Sequence, residues 1–176
     1  MSGFLSNFNI RVILLHLVTF WLFFYAGQTF CFLHDRNFFN PTYGSVFRSQ
    51  YADVYKHDLV LIRQMGNVSL LLAYVLAWFV SSKHGWHWIN DAITFVIAFA
   101  LANLDWFGGD HLAPVFLLPG KIFIPNSWES YVLDGLVMMA LGLLVLYSKR
   151  LIGFINRGQK DKQQALAAEK TARRVR

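Results

Sequence analysis

The 176-residue sequence predicts an all-α membrane protein: four transmembrane helices with a small β-like or interfacial loop region on the extracytoplasmic side. Three observations predict this class. Hydrophobic residues make up 56% of the chain and charged residues only 15%, which is far from the composition of a soluble domain. The apolar residues gather in four stretches, about 10–32, 59–82, 89–107 and 131–148, and a run of roughly 20 apolar residues matches the hydrocarbon thickness of a bilayer. Seventeen Phe, seven Tyr and six Trp suit lipid-facing surfaces and aromatic girdles at the membrane interfaces.

The first stretch reads as a retained anchor, because its apolar core is long and no small-residue cleavage site precedes His34. It runs from the inner to the outer face, with His16 near the inner side and Gln28 near the outer. The second stretch returns from Asp58, carrying Arg63, Gln64 and Asn67 into the outer third. The third starts at Trp88 with Asn90 and Asp91 at the inner interface and ends with Asn103 and Asp105 at the outer one. The fourth begins near Tyr131 and takes Asp134 into its first turn. Together these make a four-helix domain over residues 1–150, followed by a basic tail over 151–176.

Charge sets the orientation. Nine of the sixteen Lys and Arg residues lie at the C-terminal end: Lys149, Arg150, Arg157, Lys160, Lys162, Lys170, Arg173, Arg174 and Arg176. The positive-inside rule places this tail in the cytoplasm, and four spans then put the N-terminus there as well. The loops 33–58 and 108–130 face outward and are close to neutral. The tail reads as a topology signal touching anionic lipid headgroups, not as a nucleic-acid arm. Its Ala-, Lys- and Gln-rich end fits a fraying helix or a disordered segment.

Several chemistries are excluded. A single cysteine, Cys31, leaves no intrachain disulfide and no CxxC motif. The sequence has no glycine-rich phosphate loop and no HExxH, and its six histidines lack the spacing of a metal site, so neither metal nor cofactor is expected.

Charge inside an apolar span is costly, so it is usually functional or paired. The expected outer third holds Gln28, Arg63, Asn67, Asn103, Asp105 and Asp134 at similar depth, with Asp110 and His111 just above. Two or three carboxylates beside one arginine can share a proton and activate water. A bland reading competes at each position. Asp134 can cap its helix, Asp105 can bridge to Arg63, and Asn67 and Asn103 can join helices by hydrogen bonds. At the inner face, His16 and Asp91 fall at a depth where they can pair.

The outer loops carry further patterns. Asn40-Pro41 and Tyr43-Gly44-Ser45 are turn residues among aromatic and apolar neighbours, which suggests a short ribbon on the membrane surface. Pro119-Gly120-Lys121 between two apolar runs suggests a hairpin or interfacial segment.

In its order of parts the chain resembles lipoprotein signal peptidase (signal peptidase II), an intramembrane aspartyl peptidase. Thr42-Tyr43-Gly44-Ser45-Val46-Phe47 is similar to that family's cradle motif, and Ala100-Leu101-Ala102-Asn103-Leu104-Asp105 to its stretch at the end of helix 3. Tyr131-Val132-Leu133-Asp134 looks like the segment that carries a catalytic aspartate. The departures are that helix 1 lacks the family's outer Asp and Lys, Thr42 replaces an Asn, and no Arg follows Asp105. The resemblance implies catalysis by Asp134 with Asp110, or with Asp105 as the rival partner. It implies substrate contacts from Arg63, Asn67, Asn103, Gly44 and Phe47. It also implies a membrane-anchored protein substrate, residence in a bacterial inner membrane, and membrane lipids as surroundings.

A second class of reading is a non-catalytic four-helix accessory subunit of an envelope secretion or surface-sorting complex, with a membrane protein as partner. A transporter or proton path through Arg63 and Asp134 ranks below both. Charge near the inner face is sparse and no broken-helix pair stands out.

Overall fold

The computed structural model describes residues 8–33, 52–104, 120 and 128–175. Among these residues the secondary structure is helical, with no strand. Helix α1 covers Ile10–Thr29 and runs on into a 3₁₀ turn, Phe30–Leu33. Helix α2 covers Ala52–His84, α3 Trp88–Asn103, α4 Trp128–Leu146 and α5 Lys149–Val175. Three segments are long and apolar enough to cross a membrane: Ile10–Thr29, Val60–His84 and one within Glu129–Asp161. Helix α3 is apolar but shorter, at 16 residues.

Residues up to Leu146 make one compact unit and Tyr147–Arg176 a second. In the first, α1 is the central element. Its span is 67% buried, against 22% for the span in α2, so α1 is surrounded while α2 keeps most of its surface outward. It packs on α2, α3 and α4 alike. Lipid tails are as apolar as leucine, so helices in a membrane associate through close packing, which small residues allow. Four glycines provide that here. A Cβ at Gly27 would strike the Ser69 side chain and the Met65 carbonyl on α2, and one at Gly66 would strike the Phe24 ring on α1. On α4, Gly135 makes room for Thr29 and Phe30, and Gly142 for Phe23. These contacts fix direction as well as distance. Residues 135 and 142 of α4 meet 29 and 23 of α1, so the two helices are antiparallel; α2 also runs against α1, and α3 runs with it.

The helix ends explain the short connection between α2 and α3. Gly85 has φ +66°, the left-handed conformation that glycine adopts without strain. The Gly85 N–H donates to the Ser82 carbonyl (3.3 Å) and the Trp86 N–H to the Ser81 carbonyl (2.9 Å). This pair of bonds is a Schellman motif, which satisfies the last carbonyls of α2 and folds Trp86 back inward to 4% exposure. His87 then caps α3, its Nδ1 accepting the Ile89 N–H at 3.3 Å. At the start of α1 the Asn9 side chain accepts the Arg11 N–H at 3.1 Å.

Hydropathy placed the helices well but not all their ends. Helix α2 begins at Ala52, so the outward loop expected over 33–58 gives up its last residues to helix. The third and fourth helices end earlier than expected, at Asn103 and Leu146. The ribbon expected around 38–47 lies outside the described residues, as does the hairpin around 115–124 except for Gly120. In the second unit the basic segment is helical through Val175. Ser148 caps it, its hydroxyl oxygen accepting the Leu151 N–H at 3.4 Å.

Candidate functional site

Buried polar residues of the described bundle fall at two ends, which the antiparallel packing of α1 and α4 separates. At the end where α1 meets the start of α4, Asp134 is 1% exposed. One oxygen of its carboxylate accepts the Gly120 N–H at 2.6 Å. Gly120 is itself pressed onto the Ser130 carbonyl in the first turn of α4, where a Cβ would collide. The aspartate thus draws a point of the preceding chain down onto its own helix. A charge-assisted bond from a backbone N–H to a carboxylate is among the stronger hydrogen bonds a protein makes.

Of the other residues expected at this end, Arg63, Asn67 and Asn103 fall among the described residues. Arg63 lies on an exposed face of α2. Asn103 turns its Nδ2 back to the Phe99 carbonyl of its own helix, at 2.7 Å, and does not reach across to a neighbour. Asn67 is half-buried, and its Oδ1 has no hydrogen-bond partner among the described residues. Asp105, Asp110, Gly44 and Phe47 lie outside the described residues.

At the other end, three helices meet on one carboxylate. Asp91, in the first turn of α3, is fully buried, and so is His16 on α1. His16 Nδ1 stands 3.0 Å from Asp91 Oδ1. The same oxygen accepts the Ser81 hydroxyl of α2 at 2.7 Å. The His16 contact has ion-pair distance but not hydrogen-bond direction, since neither ring nitrogen meets the geometry of a hydrogen bond. It is therefore an electrostatic contact first. The amide end of α3 adds favourable partial charge for the carboxylate.

Neighbouring polar groups extend this junction. The Asn9 N–H donates to Asn90 Oδ1 at 2.8 Å, which ties the start of α1 to α3. Asn90 Nδ2 donates to the His87 carbonyl at 3.0 Å, and Thr94 Oγ1 to the Asn90 carbonyl at 2.6 Å. Aromatic rings close the space around His16. Phe20 stacks on it with centroids 6.2 Å apart, and Trp86 lies 5.9 Å away. On its far side Trp86 meets His84 at 5.5 Å.

The chemistry follows from the order of the groups. Ser81 donates to the aspartate and not to the imidazole, so the three groups are not in the order serine–histidine–aspartate. The arrangement lacks the serine–histidine contact of a nucleophilic triad. What it does provide is a buried carboxylate held by two partners from two other helices. The His16–Asp91 pair was legible from depth alone; Ser81, Asn9 and Trp86 were not. Asn9 before the first apolar run has the form of a capping residue, and Gly85 two residues after Lys83 that of a helix stop. No family model matches the chain, and no curated protein or solved structure matches it either.

Proposed function

We propose that this chain is a four-span integral membrane protein with both termini in the cytoplasm of a bacterial inner membrane, acting as a non-catalytic helical subunit of an envelope assembly. The alternating directions of α1 to α4 and the basic C-terminal segment support the topology. The bond between Asp134 and Gly120 carries the functional reading. The carboxylate with the best claim to catalysis is buried and anchors a neighbouring piece of backbone, which is the work of a scaffold. The outward face of α2, with Val68, Leu71, Leu72, Val75, Trp78 and Phe79 exposed, gives such a subunit apolar surface to set against lipid or a membrane protein partner.

One observation favours a second reading. A buried carboxylate near the start of an apolar helix is what an aspartyl peptidase of the signal peptidase II type needs, and Asp134 has that position. In that case Asp134 and Asp110 or Asp105 form the dyad. One deprotonates water while the other, protonated, polarises the scissile carbonyl. Arg63, Asn67, Asn103, Gly44 and Phe47 then contact a membrane-anchored substrate.

Two measurements decide between them. Photocrosslinkers placed at Leu71 and Trp78 in the native membrane should yield a discrete protein adduct for a subunit. A lipid-modified precursor incubated with the purified protein should stay intact. Cleavage that disappears in a folded Asp134→Asn variant establishes the peptidase and removes the subunit reading.

A further inference from the structure

We propose that His16, Asp91 and Ser81 form a buried proton-binding site, in which His16 Nε2 takes the proton. The argument starts from charge. An ionised Asp91 beside a neutral His16 leaves one uncompensated negative charge in a place with no solvent exposure, and such a charge is costly to bury. Ser81 lowers that cost by donating to Oδ1, but it cannot cancel the charge.

The imidazole can. With Nδ1 facing the carboxylate at 3.0 Å, Nε2 is the open position on the imidazole for a proton. Nε2 is buried and has no hydrogen-bond partner among the described residues; nor has Asp91 Oδ2. A proton delivered by water to Nε2 forms one N–H bond, breaks one O–H bond in the donor, and turns the net charge of the cluster from minus one to zero. The product is an imidazolium against a carboxylate, a pair with no net charge, which removes the lone buried charge.

The α2–α3 turn lies beside this pair. Trp86 lies between His16 and the partly exposed His84, and the Schellman motif around Gly85 holds it there. Trp86 thus covers His16 on the side of the turn. Among the described residues of the first unit, the other titratable or charged groups at this end are Arg11 on α1, Lys83 and His84 on α2, and His87 in the turn, while Glu129 and Asp134 of α4 belong to the opposite end. Arg11 and Lys83 are exposed, so Asp91 is the charge against which His16 is set. This inference stands apart from the choice between subunit and peptidase, since neither uses these residues.

The test is nitrogen NMR of the full-length protein in lipid nanodiscs, with labelled histidine and labelled aspartate. A dipolar contact between the imidazole nitrogen and the Asp91 carboxyl identifies His16 in the unmodified protein, so the assignment needs no variant. At neutral pH the spectrum should show an imidazolium at His16, with both ring nitrogens protonated. In Asp91→Asn the imidazole should be neutral under the same conditions. In Trp86→Ala, exchange of the His16 N–H with deuterated water should speed up. A His16 that stays neutral in the wild type, or a proton found on the Asp91 carboxyl instead, overturns the assignment. Equal behaviour of wild type and Asp91→Asn overturns it as well.

Discussion

Two buried aspartates hold this bundle together in different ways. Asp91 is gripped by side chains from two other helices, at sequence separations of 75 for His16 and 10 for Ser81. Asp134 is bound to a backbone N–H fourteen residues earlier, next to its own helix. The first contact sets how three helices meet; the second sets how one helix meets the chain that leads into it. A carboxylate in an apolar span therefore does not by itself indicate chemistry. What surrounds it decides whether it locks tertiary structure, anchors a loop or takes a proton.

The difference gives an order of expected effects. Asp91→Ala should be the most damaging change, because it leaves His16 and Ser81 buried without their common partner. Breaking a buried pair from one side costs about 3–5 kcal/mol. Thermal unfolding in detergent micelles followed by circular dichroism should show a large drop in midpoint, and a midpoint near wild type would remove the lock. Asp134→Ala comes next. It leaves the Gly120 N–H buried without its acceptor, a loss of about 1–3 kcal/mol. Asp134→Asn keeps an acceptor oxygen and should recover most of that loss in the same assay.

Gly85→Ala should cost about 1–2 kcal/mol, the penalty for a side chain in the left-handed region. Because Gly85 also seats Trp86, the variant should expose that indole to an aqueous quencher, which Trp fluorescence can follow. The smallest effect is a coupling. Ser81→Ala and Asp134→Ala act at opposite ends of the bundle, so their stability losses should add to within about 0.5 kcal/mol. A larger interaction energy would mean that the two ends communicate.

Sequence alone made most of the helical layout legible, since a bilayer-length apolar run is a strong signal. It did not show the start of α2, because Asp53, Lys56 and Asp58 interrupt the hydropathy while leaving the backbone free to stay helical. At the polar sites, sequence gave depth without direction around the helix axis. Arg63 and Asp134 share a depth, yet one is exposed and the other buried. His16 and Asp91 share a depth and do meet. The deciding contacts are the glycine steps on α1, α2 and α4, which fix rotation through shape. A hydropathy profile contains no such information. Ser81 was hidden for a related reason: a lone serine at a helix end is too common to stand out until its neighbour is known.

Helix α3 has 16 residues, which at 1.5 Å per residue rise about 24 Å, while the hydrocarbon core of a typical bilayer is about 30 Å thick. In the four-span arrangement its flank is therefore shorter than the lipid beside it, whereas α1 and α2 are not. In that arrangement the lipids next to α3 would have to thin to keep its ends wet, at a cost of a fraction of a kcal/mol per Å of mismatch. The protein would then deform the membrane on one side only. Two copies brought together along α3 would share a single thinned patch instead of maintaining two, a force toward association that needs no specific contact between them.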